Sequence, residues 1–384
     1  MKGTVPLSDA ARLSGPLVSD LMLKPVGSSC NLGCSYCYYL DKPYDGRRMS
    51  EEVLDAALRA FFAAVEAPEV NIVWHGGEPL LAGLDFFQRA MQRVQRYADG
   101  RLVHHSIQTN GTLLDAAWAR FFREHHFLVG LSLDGPADLH NGYRRFRGGA
   151  PAFDKVLSGL EILRNHDVPF NTLTTVNHAS EGRGAEVYTF LKGAGSHYMQ
   201  FLPVVEWNRP ALSVSARGFG QFMVDIFDVW VRSDIGRYYV QLFDSTLAAW
   251  CGQPAAVCTL GTSCSGNLVV EHNGDLYQCD HFVAPPYRLG NVLDLNEGPS
   301  LQELLSKETA VRFTLDKYAG LPPRCRRCPY LPACHGECPV HRFPTGENAL
   351  CEGYRLFFDH TAPSFDRMRA LLAAGRTPAE LCGR

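Results

Sequence analysis

The sequence predicts an α/β protein: a parallel sheet with helices outside it, then a loop-rich segment dense in cysteine. Three observations carry this. Between residues 21 and 205 short strand-like runs alternate with amphipathic helical stretches, and six such repeats indicate parallel strands, doubly wound or rolled into an incomplete barrel. Glycine and polar motifs recur at the C-terminal ends of those strands, where ligands collect in either architecture. Beyond residue 208 the alternation ends and cysteine, glycine and proline accumulate.

Taken in order, the strand expectations are residues 21–26, 70–74, 103–108, 127–133, 170–176 and 198–205. The clearest helix is 50–66: Ser50 can cap it, Glu51 and Glu52 suit the positive end of its dipole, and Val53, Leu54, Ala57, Leu58, Phe61 and Val65 share a face. Residues 85–97, 114–124, 153–165 and 186–193 read the same way, followed by a helix over 219–231 and a short strand at 238–241. Between Cys251 and Cys351 the turn His272-Asn273-Gly274-Asp275 predicts a hairpin of 268–270 with 276–277. A segment of this kind is not expected to bury much apolar surface by itself, and metal ligation is the usual substitute for a core. A helical pattern around 365–374 closes the chain.

The chain has 384 residues, 46% hydrophobic and 20% charged, with a formal net charge of −3. That suits an enzyme of two domains or of a barrel with an appendage. No lysine/arginine block points to nucleic acid, and no apolar run is long enough to cross a bilayer. Residues 1–18 carry Asp9 and Arg12 and no signal-peptide core, so a cytoplasmic location is expected. Reduced thiols prevail there, and thirteen cysteines, an odd number, read better as metal ligands than as disulfides.

Cys30, Cys34 and Cys37 can face one metal centre while leaving a coordination position open, whereas a purely structural site closes its fourth position with protein. Tyr36 either lies beside that open face or packs at the mouth of the sheet. The second strand ends in His75-Gly76-Gly77-Glu78-Pro79, where two glycines would let a ligand approach and Glu78 could hold an amino group. Gln108-Thr109-Asn110-Gly111 and Ser132-Leu133-Asp134-Gly135 end the third and fourth strands and complete a polar rim. Eight further cysteines (Cys258, Cys264, Cys279, Cys325, Cys328, Cys334, Cys338 and Cys351) suffice for two four-cysteine sites. Zinc and iron–sulfur both fit such spacings; an open first centre needs electrons moved and favours iron–sulfur. Cys251 and Cys382 are left over as inert thiols. Asp280, next to Cys279, is either a capping carboxylate or a proton acceptor.

These motifs together resemble the radical S-adenosylmethionine enzymes that carry a C-terminal SPASM domain, and among them the anaerobic sulfatase-maturating enzymes. The narrower likeness rests on Tyr38-Tyr39, Gln108-Thr109-Asn110-Gly111, Cys279-Asp280-His281-Phe282 and Cys334-His335-Gly336-Glu337-Cys338-Pro339. The resemblance implies a partial (β/α)6 barrel over residues 21–235 after an N-terminal extension of 1–20. A SPASM domain over 236–360 and a helical tail over 361–384 would follow.

It further implies three [4Fe–4S] clusters. One would sit on Cys30, Cys34 and Cys37; one on Cys258, Cys264, Cys279 and Cys338; one on Cys325, Cys328, Cys334 and Cys351. S-adenosylmethionine would chelate the first, contacted by Tyr36, Gly76, Gly77, Glu78 and Ser132 and by an arginine, Arg144 by choice over Arg145 and Arg147. The 5′-deoxyadenosyl radical would abstract hydrogen from Cβ of a cysteine or serine in an unfolded sulfatase segment, Cys/Ser-x-Pro/Ala-x-Arg, giving Cα-formylglycine. Asp280 would be the base, and Tyr39 and His75 would line the substrate site, His75 replacing a glutamine found in many relatives. A flavodoxin or ferredoxin would donate electrons to a monomer. The alternative is a thioether- or carbon–carbon-forming maturase of another ribosomal peptide. A non-catalytic zinc or electron-transfer scaffold is the third reading.

Overall fold

The computed structural model describes residues 18–39 and 47–383, so most of the expected N-terminal extension lies outside the described residues. The strands in chain order are β1 (Asp20–Leu23), β2 (Glu69–Trp74), β3 (Leu102–Thr109), β4 (Leu128–Ser132), β5 (Phe170–Val176), β6 (Tyr198–Pro203), β7 (Tyr239–Val240), β8 (Asn267–Val270), β9 (Asp275–Tyr277) and β10 (Gly290–Asn291). Every strand expected from the sequence is present. β1 stops three residues short of the expected end because Pro25 has no N–H for a ladder and the chain turns there, Gly27 N donating to Lys24 O at 3.2 Å.

The chain forms two compact units. One gathers the described part of Met1–Leu131 with Arg145–Pro169 and Ser263–Ala319; the other joins Ser132–Arg144, Phe170–Thr262 and the described part of Gly320–Arg384.

In the first unit β1 lies between β2 and β8 and runs parallel to both, Leu23 standing opposite Trp74 on one side and Val270 on the other. β3 and β4 continue the parallel order beyond β2, and β9 and β10 add antiparallel edges beyond β8. The helix Glu51–Ala64 forms as its sequence dictates: Ser50 accepts from Val53 N, and Val53, Leu54, Leu58 and Phe61 are buried. Trp74, Phe87, Trp118, Phe122 and Phe127 pack edge to face and stacked beneath the sheet, contributing area and ring geometry together. The hairpin expected at residues 272–275 is also present. Its segment buries apolar surface in company with a strand from outside it. Leu268, Val269, Val270 and Leu276 are at most 1% exposed, because β8 pairs with β1 rather than standing alone.

In the second unit β5, β6 and β7 are parallel neighbours. The helices Ala216–Ser233 and Cys351–Ala373 meet at Gly220 and Gly353, where a Cβ on Gly353 would stand 1.9 Å from Ala216 O. Such contact admits only glycine. Phe227, Phe243, Phe357 and Phe365 fill the space beside that crossing. The terminal helix begins at Cys351, fourteen residues before the expected pattern, and carries Pro363 inside it; the boundary expected at 360 falls within this one helix. Among the described residues no helix is long and apolar enough to cross a membrane.

Candidate active site

The strand ends of the first unit converge on the three-cysteine loop. Gly77 N donates to Gly27 O and Glu78 N to Ser29 O, each at 2.8 Å, which binds the end of β2 to the residues just before Cys30. Gly76 has φ +119°, and a Cβ on Gly77 would lie 1.9 Å from Ser29 O. What the two glycines admit is the chain's own backbone, not only a ligand as the sequence suggested. The Glu78 side chain is fully buried. Its Oε1 accepts from Leu80 N (3.0 Å) and Thr109 Oγ1 (2.9 Å), its Oε2 from Asn110 N (2.8 Å). Burial pushes the carboxyl up to about 7 against those three donors. Glu78 thereby locks the ends of β2 and β3 together.

Beside this lock, Cys30 Sγ accepts from Leu32 N at 3.4 Å and Asn110 Nδ2 at 3.7 Å, donors suited to a ligating thiolate. Burial, then the Glu78 charge and the neighbouring Cys34 and Cys37, push the Cys30 thiol up to about 12, with Leu32 N–H opposing. A buried Cys30 thiol with Cys34 and Cys37 beside it is a donor set that a cationic iron centre satisfies. The chain's residues thus fit an iron–sulfur cluster here. Tyr36 is buried at 7% exposure. Arg147 Nε donates to Cys30 O at 2.7 Å and Gly33 N to Arg145 O at 2.8 Å, bracing the loop from the segment after β4.

The three candidate arginines are therefore distinct. Arg147 holds the cysteine loop, the Arg145 side chain donates to Gly149 O, and Arg144, in the second unit, forks onto Asp134 at 2.8 and 3.2 Å. Asp134 also accepts from Thr175 N, so the Arg144 pair sits beside Ser132, itself 9% exposed, as part of a buried network.

A second polar group of the first unit surrounds Asp280. The Tyr38 hydroxyl donates to Asp280 Oδ2 at 2.7 Å and its ring stacks on His281 at 4.9 Å. Burial pushes the Asp280 carboxyl up, but His281, Lys24, His75 and the Tyr38 hydroxyl outweigh it and hold the group well below the usual carboxylate range. Asp280 is an ionised carboxylate at neutral pH. Burial lowers His75 to about 4, and its Nδ1 accepts from Gly76 N at 2.7 Å, which leaves the proton of a neutral ring on Nε2. Tyr39 donates its hydroxyl to Glu271 Oε2 at 2.6 Å, and the Lys24 ammonium lies 4.1 Å over its ring. Residue types and spacing singled out Asp280, Tyr39 and His75 but not Lys24, Glu271 or the part played by Tyr38. A charged residue ending an apolar strand was the signal available for Lys24.

All thirteen cysteines are free thiols, as the ligand reading expects. In the second unit Cys325, Cys328, Cys334 and Cys351 line one cavity of about 140 Å³, with Tyr354 and Phe358 on its apolar side. Among the described residues no three thiol, imidazole or carboxylate groups converge to the spacing of one metal ion. Four thiols on one cavity wall are the donor set of a four-cysteine metal site.

Comparison with known proteins bears on the same residues. The family model for the radical SAM superfamily matches residues 25–191, and that for SPASM, an iron–sulfur cluster-binding domain, matches 258–329. The fold and the three-cysteine site therefore define a radical SAM protein: a partial parallel β/α barrel with a SPASM domain. A serine-type anaerobic sulfatase-maturating enzyme of Bacteroides thetaiotaomicron is 40% identical over 94% of each chain. A cysteine-type counterpart of Clostridium novyi is 30% identical over 88% of this chain and 94% of its own. The solved structure of native anSMEcpe with bound AdoMet and Kp18Cys peptide superposes with a TM-score of 0.85 at 30% identity, covering 91% of this chain and 99% of that one. The chain belongs to the anaerobic sulfatase-maturating enzymes.

Proposed function

We propose that this protein oxidises the target serine or cysteine of an unfolded sulfatase segment to Cα-formylglycine. The observation that carries the reading is the Tyr38–Asp280 pair, a half-buried and oriented carboxylate immediately after Cys279. Bound together, a reduced [4Fe–4S] cluster and S-adenosylmethionine supply the radical that takes a hydrogen atom from the target Cβ.

The rest falls to this chain's residues. Cys30, Cys34 and Cys37 hold the cluster; Tyr36, Gly76, Gly77, Glu78, Ser132 and Arg144 bind S-adenosylmethionine. Because its carboxylate already takes three donors, Glu78 acts by fixing the turn's backbone. Arg144 binds while oriented by Asp134. Asp280 accepts the target's side-chain proton, with Tyr38 fixing one oxygen; the remaining electron would leave to the auxiliary centre expected at Cys279, and with a cysteine target water would hydrolyse the thioaldehyde and release sulfide. Tyr39, its hydroxyl tied to Glu271, offers the substrate its ring, and His75 offers a donor at Nε2.

Two auxiliary [4Fe–4S] clusters complete the set, bringing the total to three. Cys325, Cys328, Cys334 and Cys351 take one, supported by their shared cavity, and Cys258, Cys264, Cys279 and Cys338 take the other, by family likeness. The radical SAM and SPASM portions lie within residues 21–235 and 236–360, as the matched segments suggest, with a tail over 361–384. The enzyme works as a cytoplasmic monomer with a flavodoxin- or ferredoxin-type donor. Serine is an accepted target: the serine-type relatives reach 40% and 36% identity against 30% and 31% for cysteine-type ones.

The test is anaerobic incubation of reconstituted enzyme, reductant and S-adenosylmethionine with peptides carrying Ser or Cys in x-Pro-x-Arg. Mass spectrometry should show the aldehyde with 5′-deoxyadenosine alongside. A cross-linked peptide instead of an aldehyde would reassign the protein to the peptide-linking maturases.

A further inference from the structure

Lys24 is fully buried at the end of β1. Its backbone is held on both sides: Lys24 N donates to Val270 O at 3.1 Å, and its Cβ packs where Gly76 lacks one. The side chain passes over the Tyr39 ring, and Nζ comes to rest 3.5 Å from Glu271 Oε1. That distance is an ion pair and not a hydrogen bond. Among the described residues Nζ has no hydrogen-bond acceptor, and Glu271 Oε1 has no donor. The charge is felt at Asp280 and at His75, so the ammonium stands in the same polar group as the base.

A buried ammonium with three N–H donors and no acceptor among the described residues is costly, and an acceptor brought by the substrate would offset that cost. The surrounding groups narrow what that acceptor is. Asp280 and Glu271 are carboxylates already bonded to Tyr38 and Tyr39, and His75 presents a donor. A neutral oxygen acceptor fits between them; a further cation does not.

Resting on the sulfatase-maturation reading, we infer that Lys24 is a substrate-binding residue whose ammonium hydrogen-bonds an oxygen of the target residue, its main-chain carbonyl or its serine hydroxyl. The contact places the target side chain beside Asp280.

Binding of fluorescein-labelled Ser and Cys peptides to reconstituted holoenzyme, with S-adenosylmethionine present and reductant withheld, tests this. Lys24→Met should weaken peptide binding roughly tenfold to a hundredfold, the scale of a charged hydrogen bond. Glu271→Gln, which removes the ion pair but keeps the ammonium, should stay within about threefold, a contrast no purely structural role for Lys24 produces. Equal loss on both peptides assigns the main-chain carbonyl, and loss on the serine peptide alone assigns the hydroxyl. Iron content and thermal melting report folding; should Lys24→Met fail to load iron, Lys24→Gln replaces it, with an intermediate loss expected. Wild-type affinity in the Lys24 variant, or equal losses in the Lys24 and Glu271 variants, overturns the inference while aldehyde formation by the wild type leaves the function standing. A wild type that neither binds nor oxidises either peptide overturns both.

Discussion

The Tyr38 hydroxyl donates to Asp280 Oδ2 at 2.7 Å while the Tyr38 ring lies stacked on His281, so one tyrosine fixes both residues that follow Cys279. The aspartate beside Cys279 becomes an oriented carboxylate through a residue 242 positions away.

Removing the base should separate the two halves of the reaction. Asp280→Asn is expected to keep 5′-deoxyadenosine formation largely intact while aldehyde yield falls by about 10²–10⁴-fold, the usual weight of general base catalysis. Tyr38→Phe, which deletes one hydrogen bond to a charged group, should cost roughly tenfold. Chromatographic deoxyadenosine and mass-spectrometric aldehyde are the paired readouts, and undiminished aldehyde in Asp280→Asn would remove it from the base role.

Gly77→Ala should damage the cysteine loop although it touches no cysteine. Its Cβ would stand 1.9 Å from Ser29 O, so the turn or the loop must shift, costing about 1–3 kcal/mol or more. Iron retention should fall at the first cluster in preference to the others, measured by iron assay and by the spectrum of a variant lacking the auxiliary ligands.

If the cavity of the second unit holds a cluster, Cys328→Ala with Cys334→Ala should reduce iron from about twelve to about eight per chain. Because metal binding substitutes for core in that segment, the melting temperature should fall with it. Zinc with little iron in the wild type would contradict this.

His140 should give the protein an acid-side weakness. Burial lowers its ring to about 4, the Asp134 charge opposing and Arg144 adding, so the folded chain refuses a proton that the unfolded chain takes near 6.5. Stability from this group is present above pH 6.5 and is lost as pH falls towards 4, by at most about 3 kcal/mol. His140→Gln should flatten that limb, read as the wild-type-minus-variant difference in denaturant melts across pH 4–7.

The helical crossovers were legible because Ser50, Glu51 and the Val53–Leu54–Leu58–Phe61 stripe are local statements, and the structure repeats them. The cysteine-rich segment was harder. Residues 267–270 look like one arm of a small hairpin, and nothing local says that they pair with residues 20–23. Helix Cys351–Ala373 was half seen because Pro363 reads as a breaker, while Gly353, whose reason is the neighbouring helix, reads as a turn. In the site, Asp280 and the cysteines stood out by type and spacing; Lys24 and Glu271 did not, since an ion pair over 247 positions leaves no periodic trace.

By itself, then, the sequence determined which chemistry is available: three thiols one ligand short, eight more for further clusters, glycine turns at strand ends and a carboxylate beside a ligand. The tertiary structure alone decided what each group is free to do. It spent the glycines of the β2 turn on the approach of Ser29, tied the Glu78 carboxylate to β3, and gave Asp280 its tyrosine. It also buried the Lys24 ammonium with no hydrogen-bond acceptor among the described residues. The physical reason is range. Spacing and capping act over a few residues, whereas the burial and charge that set an ionisation state come from strands that meet only when the chain is folded.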